Sequence, residues 1–303
     1  MADNKGRINE YFLSRDFVDL NRLNLQHYLY RDIFGYNLHT RIPREGTPDL
    51  KIADVGTGTG YANFPSPVSV PRAFHSYRLN TIRVWLMDLS KELDPSAQLV
   101  GLDSNTSQAG PPQWLPPNVT VRQWDATAEV PSDLVGQFDI VNLRLFGLVI
   151  REDPAPVLRN LIKMLKPNGH IQWCETDQQS WRIQTVDPSV PTPDLAELWR
   201  QTGIVGSGVM AHWVRTLPQV FEAEGLLDVV VDRQTGDAHT LMAMHWCNMS
   251  VYEMFERKLR PADPEKADEF VRLIQGGLKE SEGGAMFVFD RMIVVGRKPG
   301  QAD

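Results

Sequence analysis

Glycines stand at alternate positions in residues 54–60, Asp-Val-Gly-Thr-Gly-Thr-Gly, directly after a short apolar run. A backbone without Cβ atoms can turn sharply there and approach an extended, charged ligand closely. A dinucleotide site would favour a third glycine where Tyr61 stands. The observed spacing, with an acid two residues before the first glycine, fits S-adenosylmethionine better, and a turn without a ligand is the alternative. The residues expected to bind the cofactor here are Asp54, Gly56, Thr57, Gly58 and Gly60.

Acidic residues also end the next two apolar runs of the sequence. Asp103 ends the run that begins at Leu99, and at this position of a Rossmann-like sheet a carboxylate can accept hydrogen bonds from both ribose hydroxyls. Asp125 follows the run that begins at Val119, where its carboxylate could accept from the adenine amino group while Trp124 borders the ring. The three strand ends together indicate S-adenosylmethionine. The second group of expected binding residues is Asp103, Ser104, Trp124, Asp125 and Ala126.

The fourth apolar run ends in Asn142-Leu143-Arg144, and we expect these residues to complete the cofactor site. They lack the Asn-Pro-Pro-aromatic cluster of DNA amino-methyltransferases, which argues against DNA as the substrate. Because the sulfonium methyl group is already a strong electrophile, the protein has mainly to align the acceptor and exclude water. The sequence therefore predicts neither a metal nor a covalent intermediate.

A general base would help an acceptor that must lose a proton, and histidine is the usual choice near neutral pH. The first candidates are His245, Glu175 and His27, with His212 and Asp177 behind them. His27 lies on an apolar helical face, where a structural histidine is the alternative. The methionines and tryptophan around His245 are equally typical of a core. Glu175 and Asp177 gain from their position, because ligands of open α/β sheets bind beyond the carboxyl ends of strands.

The composition excludes several other classes of protein. The chain has 303 residues, 42% hydrophobic and 23% charged, with a formal net charge of −7. No long run of Lys and Arg is present, so a nucleic-acid partner is not expected. Cys174 and Cys247, the only cysteines, lie outside any C-x-x-C pattern, so we expect buried thiols rather than a zinc site or disulfides. The charged amino terminus and the absence of a long apolar stretch favour a cytoplasmic protein without membrane contact.

The order of apolar runs predicts an α/β fold with a mostly parallel Rossmann-like sheet. An amphipathic helix, or a pair of helices, is expected over residues 11–42, with Gly35 and Pro43 marking its end. A last, antiparallel strand is expected beside the strand at 227–232. The other predicted strands are 51–55, 98–102, 119–124, 138–143, 170–175 and 286–295. The other helical segments are 84–93, 155–165, 195–224 and 238–282.

Residues 61–83 interrupt this alternation of predicted strands and helices. They contain three prolines, several aromatics and no acid. Asp103 lies 43 residues beyond Gly60 rather than the roughly 20 typical of such a unit, and removing these 23 residues restores that spacing. We predict that the segment is an insertion outside the cofactor-binding unit and favour a gene-model error such as a translated intron. The alternative is a genuine loop that gates the substrate.

The chain resembles the fungal class I methyltransferases found in secondary-metabolite gene clusters. The likeness spans about half of the chain, and its last third matches only loosely. The matching stretches are 21–28, 34–39, 54–60, 85–89, 101–103, 113–119, 123–125, 142–146 and 165–173.

The resemblance implies S-adenosylmethionine-dependent methyl transfer to oxygen or nitrogen of a small-molecule natural product. It also implies a helical lid over residues 1–43 and a methyltransferase domain over 44–303, in which helical residues 238–282 cover the substrate. Two alternatives stay open. One is a methyltransferase-fold regulator of secondary metabolism that acts by protein contacts, and the other is an NAD(P)-dependent oxidoreductase. The acceptor and the oligomeric state do not follow from the sequence.

Overall fold

Seven strands form one sheet in the computed structural model, in the order β3-β2-β1-β4-β5-β7-β6. The strands β1 to β5 run parallel, and β7 runs antiparallel to both of its neighbours. The predicted Rossmann-like sheet with an antiparallel last strand is confirmed. The strands are β1 (Lys51–Val55), β2 (Gln98–Asp103), β3 (Val119–Gln123), β4 (Phe138–Arg144), β5 (Leu165–Thr185), β6 (Leu227–Gln234) and β7 (Ala285–Arg297).

The structure describes residues 17–44, 49–56, 84–106, 111–150, 152–205 and 211–300. Three of the expected cofactor residues, Thr57, Gly58 and Gly60, lie outside these ranges. The expected insertion at 61–83 and the first turns of the expected lid also lie outside them.

Helices cover both faces of the sheet. They are α1 (Phe17–Phe34), α2 (Val84–Glu92), α3 (Ala155–Met164), α4 (Pro193–Val205), α5 (Leu217–Ala223), α6 (Ala238–Leu259) and α7 (Pro264–Glu282). One face packs on α1, α2 and α6 through residues such as Phe34, Leu86 and Met244. The other packs on α3 and α5 through residues such as Leu158 and Phe221. This burial on both faces explains why the parallel strands are nearly continuous apolar runs.

The expected helix over residues 11–42 ends earlier than predicted. Gly35 has φ +77°, and its N–H donates to the carbonyl of Arg31 over 2.8 Å. Glycine adopts this left-handed conformation without strain and terminates the helix there. Residues 36–42 form turns and bends instead, and Leu38 and Ile42 are buried. The prediction of helix beyond Phe34 was therefore wrong, because these apolar residues are buried without being helical.

The strand β5 has 21 residues, where six were predicted, and β7 has 13, where ten were predicted. They pair from His170 to Thr185, with a change of register between Asp177 and Arg182. The extension carries a separate apolar cluster formed with α4, α6 and α7, in which Trp181 and Trp199 stack with ring centroids 5.0 Å apart. The helices α6 and α7 together fill the predicted helical segment 238–282. Asp237 and Asp263 cap their first turns by accepting backbone N–H bonds. None of the helices in the described ranges is both long and apolar enough to cross a membrane.

Candidate active site

The carboxyl ends of β1, β2 and β4 lie side by side. In the parallel register Val55 is level with Leu102 of β2 and with Leu143 of β4. The residues that follow, Gly56, Asp103 and Arg144, are therefore neighbours at one edge of the sheet, and we call this group the strand-end site. Gly56 has φ +64°, and its N–H donates to the carbonyl of Leu102 over 2.8 Å. The structure brings together three predicted residues that are separated by dozens of positions in the sequence.

The carboxylate of Asp103 is held in place by local hydrogen bonds. Its side chain is buried, and Oδ1 accepts from the backbone N–H of Asn105 over 3.0 Å. Its carbonyl accepts from the N–H of Trp124 over 2.8 Å, which fixes the end of β3 beside it. A carboxylate fixed in this way is suited to accept hydrogen bonds from a ligand without first reorganising.

The loop after β3 is fixed by its own side chains. Asp125 is exposed, and its Oδ1 accepts from the N–H of Thr127 over 2.9 Å and from its hydroxyl over 2.8 Å. The buried indole of Trp124 donates to the carbonyl of Glu129. Ala126 is buried, and its carbonyl accepts from Nδ2 of Asn160 over 2.9 Å. Next to this loop the carbonyl of Ser104 accepts from Gln123. The expected adenine-binding residues therefore lie on a well-supported loop.

Asp54 and Asn142 bind each other rather than standing at the surface. Nδ2 of Asn142 donates to Oδ1 of Asp54 over 2.8 Å. Oδ1 of Asn142 accepts from Gln172 over 3.0 Å, whose own Oε1 accepts from the N–H of His39 over 2.8 Å. Asn142 is completely buried, so its side chain positions β1 against β4 and β5. The side chain of Leu143 lies in the core on the opposite face, so that residue could contact a ligand only through its backbone.

A small pocket lies between α1 and the sheet, next to the strand-end site, and we call it the α1 cleft. Its walls come from α1, the segment after α1, α2 and the strands β4, β5 and β7. The lining residues are His27, Tyr30, Arg31, Phe34, Tyr36, Asn37, Trp85, Arg144, Gln172, Cys174 and Ile293.

His27 binds through both of its ring nitrogens. Nδ1 lies 3.1 Å from Nη1 of Arg144, and Nε2 lies 3.2 Å from Oδ2 of Asp88. A guanidinium can only donate, so Nδ1 is the acceptor and Nε2 carries the proton. Burial, together with the positive charge of Arg144, lowers the pKa of His27 to about 4 despite the nearby Asp88. His27 is therefore neutral and positions Arg144, which disfavours the base role expected from the sequence.

Asp88 holds residues of the α1 cleft in place, and it was not among the residues expected from the sequence. Besides His27 it accepts from Arg31 over 3.0 Å and from Lys91 over 3.2 Å. Burial favours the neutral form, but the hydrogen bonds from His27 and Lys91 outweigh it and the pKa of Asp88 lies below its usual value. Asp88 thus stays anionic and anchors α1 to α2. In the sequence it is one acid of an ordinary amphipathic helix, and no local pattern marks it.

Glu175 supports the turn that follows β4. Its Oε1 accepts from the N–H of Phe146 over 2.7 Å and from the indole of Trp173 over 2.8 Å, and Oε2 accepts from the N–H of Gly147 over 3.3 Å. Burial raises the pKa of Glu175 to about 7 despite these donors. The ring of Phe146 lies so close to Gly56 that a Cβ there would come within 2.0 Å of it. Glu175 therefore acts on the strand-end site by holding this turn.

His245 lies between α6, α7 and β7, and not in the α1 cleft. It is completely buried. Its Nδ1 accepts from the N–H of Phe287 over 2.9 Å, and Nε2 lies 2.8 Å from the hydroxyl of Ser281. Burial lowers the pKa of His245 to about 4. Both nitrogens are used to join α6 to α7 and β7, which is the environment of a structural histidine and disfavours the expected catalytic role.

The remaining two candidates for a general base also have structural partners. Asp177 is buried and accepts from Arg215 and Arg233, each at 2.8 Å from Oδ2. His212 is exposed and contacts Gln179 through Nδ1. Asp177 thus forms ion pairs with two arginines, and neither Asp177 nor His212 lines the α1 cleft.

The chain is similar in sequence to several known proteins. No family model matches the chain. Methyltransferase grgD of Penicillium sp is 30% identical over 207 residues, covering 66% of this chain and 64% of that protein. N-methyltransferase tcpN of Claviceps purpurea is 29% identical over 161 residues, covering 52% of this chain and 49% of that protein. The chain is related to fungal methyltransferases. The resemblance inferred from its sequence is thereby confirmed, and its sheet is the class I methyltransferase sheet.

A third relative of this methyltransferase-like chain carries a different description. The secondary metabolism regulator LAE1 of Hypocrea atroviridis is 27% identical over 195 residues, covering 63% of this chain and 47% of that protein. The matched region spans less than two thirds of each of the three relatives. The relationship therefore reaches from named methyltransferases to a named regulator of secondary metabolism.

Proposed function

We propose that the chain transfers a methyl group from S-adenosylmethionine to an oxygen or nitrogen atom of a small-molecule natural product, in fungal secondary metabolism. The observation that carries the proposal is the strand-end site, where Gly56, Asp103 and Arg144 meet. The relationship to methyltransferase grgD and N-methyltransferase tcpN supports the reaction class.

The residues present fit the cofactor. The buried carboxylate of Asp103 provides acceptors for two ribose hydroxyls. The backbone turns sharply at Gly56, as an approach to the methionine portion requires. Asp125 lies on a fixed loop beside Trp124, where the adenine would bind. When bound, the cofactor supplies an electrophilic methyl group on a sulfonium.

The protein's own part in the reaction would be alignment and exclusion of water. We place the acceptor in the α1 cleft, because that cleft adjoins Arg144 of the strand-end site. The helix α1 forms its wall and would serve as the lid, with α6 behind it. His27 and His245 use both ring nitrogens within the protein. The proposal therefore rests on positioning and assigns no general base.

A second candidate function has a specific observation in its favour. The similarity to LAE1 is consistent with a regulator that keeps the methyltransferase fold and acts through protein contacts. A nicotinamide-dependent oxidoreductase is less well supported, because Tyr61 stands where the third glycine of the dinucleotide motif would be.

Two measurements on the full chain separate these functions. Calorimetric titration with S-adenosylhomocysteine should show binding, and titration with NAD should show none. A panel of natural-product amines and phenols is then incubated with S-adenosylmethionine, and methylated product and S-adenosylhomocysteine are measured together. Product formation supports the enzyme, whereas cofactor binding without turnover of any acceptor favours the regulator. Binding of NAD alone contradicts both.

A further inference from the structure

Arg291 of β7 is an almost completely buried arginine, with 2% of its surface exposed. Its guanidinium donates from Nη1 to the carbonyl of Phe289 over 2.8 Å. It also lies 5.4 Å from the centre of the Tyr30 ring. Nε is buried and has no hydrogen-bond partner among the described residues. Within the part of the chain that the structure describes, no carboxylate forms an ion pair with Arg291.

Such an arrangement is costly, because a buried charge without a counter-charge loses its hydration and gains little in return. The buried carboxylate of Asp177 avoids that cost, because two arginines compensate its charge. Arg215 and Arg233 both reach the buried carboxylate of Asp177 at 2.8 Å. The contrast indicates that the positive charge of Arg291 serves a purpose other than folding, and binding an anion is the simplest purpose it could serve.

Arg291 lies on the face of the sheet that forms the α1 cleft. It is the cross-strand partner of Thr176, so both side chains point to the same face. The hydroxyls of Tyr30 and Thr176 lie 2.5 Å apart. Tyr30 lines the cleft, as does Ile293, which follows Arg291 by two positions on that face. The guanidinium therefore lies next to the cleft, with two hydroxyl groups beside it.

A second guanidinium, that of Arg144, lines the cleft directly. It donates to neutral His27 over 3.1 Å and lies 5.9 Å from the ring centre of Trp85. Three acids around the cleft have partners of their own: Asp88 holds Arg31 and Lys91, Asp232 accepts from the hydroxyl of Tyr36 over 2.6 Å, and Glu175 accepts from the turn after β4. Arg144 and Arg291 therefore place two guanidinium groups at this side of the cleft, and neither is paired with a carboxylate among the described residues.

The position of Arg291 points to the acceptor rather than to the cofactor. The strand β7 is three strands away from β1 in the sheet, which is about 14 Å at roughly 4.8 Å per strand. The expected cofactor residues lie at the ends of β1 to β4. An anion bound at Arg291 would therefore lie beyond Arg144, on the side away from the ends of β1, β2 and β3.

We propose that the α1 cleft takes an acceptor bearing a carboxylate, with Arg291 as its counter-charge and the one remaining hydroxyl proton of the Tyr30–Thr176 pair as a further donor. This inference rests on the proposed methyl transfer, since it assigns the substrate class of that site. A carboxylate could also come from the methionine portion of the cofactor, so the experiment has to distinguish the two sources.

The first test uses stability of the ligand-free protein. Arg291→Met removes the buried charge and keeps most of the side-chain volume, so the melting temperature should rise by a few degrees. The matched control is Arg233→Met, which weakens a satisfied ion pair on the other face and should lower the melting temperature. If Arg291→Met also lowers it by as much as the control, Arg291 is a structural residue and the proposal is wrong.

The second test uses benzoate and the neutral benzamide as probes, titrated with S-adenosylhomocysteine present. Benzoate should bind the wild-type chain at least tenfold more tightly than benzamide, and Arg291→Met should abolish that preference. The affinity for S-adenosylhomocysteine should stay within twofold in the variant. Loss of that affinity would assign the charge to the cofactor, and equal binding of the two probes would refute an anion site; either result overturns the proposal. If the wild-type chain binds no S-adenosylhomocysteine, the proposed function fails, while the preference for benzoate still tests Arg291.

Discussion

The strand-end site and the α1 cleft adjoin each other but are built in different ways. In the strand-end site the carboxylate of Asp103 is fixed by Asn105, two residues further along the chain. In the α1 cleft, His27 depends on Asp88 and Arg144, which lie 61 and 117 residues away. The backbone of the first region needs only correctly paired parallel strands, although the side chain of Arg144 also contacts His27. The second needs α1 to be docked, so a single substitution there should disturb several contacts together.

The largest effect that we expect is on the strand-end site. Asp103→Ala should weaken binding of S-adenosylhomocysteine by about 10²-fold to 10⁴-fold, because two charge-assisted hydrogen bonds of about 1.5–3 kcal/mol each are lost. Calorimetric titration measures this. Asp133→Ala, which removes an exposed acid paired with Arg122, is the control and should leave the affinity unchanged. An affinity of Asp103→Ala within twofold of the parent would remove Asp103 from the site.

The next effect concerns the loss of folding stability at acidic pH, to which the buried His245 of α6 contributes. Because the pKa of His245 is lowered to about 4 by burial, the unfolded chain takes up a proton before the folded chain does. The contribution of His245 to stability is therefore complete above pH 6.5 and is lost as pH falls towards 4, by about 3 kcal/mol. Chemical denaturation of His245→Gln between pH 7 and pH 4 should show a shallower loss than the parent.

The exposed His212 provides the control for this titration. His212→Gln makes the same chemical replacement at an exposed position and therefore controls for the loss of an imidazole as such. If His245→Gln and the parent lose stability in parallel, His245 titrates normally and the buried network around it is described incorrectly.

A smaller effect is expected at Asn142, which accepts a hydrogen bond from Gln172 of the α1 cleft. Asn142→Leu removes the donor to the buried carboxylate of Asp54 and the acceptor for Gln172. The free energy of unfolding should fall by about 2–3 kcal/mol, since a buried carboxyl group and a buried amide each lose a hydrogen bond. Gln98→Leu, on the exposed start of β2, is the matched control. A change no greater than that of the control would show that the network contributes nothing to stability.

Much of the sheet could be predicted because each buried parallel strand is a short apolar run, and the acids that end these runs pointed to the strand-end site. The register then placed Gly56, Asp103 and Arg144 together as expected. The extension of β5 could not be seen, because its residues beyond Asp177 are mostly polar and gain their burial from α4 and α7. Asp88, Gln172 and Arg291 were missed for a related reason: their partners are set by tertiary packing.

The smallest effect is expected from residues 61–83, which lie outside the described part of the chain. If they are an insertion, a chain lacking them should bind S-adenosylhomocysteine within twofold of the full chain and fold at least as stably. The physical reason is that the cofactor-binding unit needs only the spacing of roughly 20 residues that the deletion restores. Thermal melting and calorimetry measure both quantities. Loss of binding or of folded protein would show instead that the segment is a working part of the site.

A crystal structure of the full chain with S-adenosylhomocysteine tests the cofactor site most directly. Both ribose hydroxyls should lie within about 3 Å of the Asp103 carboxylate. The sulfur should face the α1 cleft near Arg144. A ligand bound elsewhere, or a ribose that does not contact Asp103, would contradict the assignment of the strand-end site as the cofactor site.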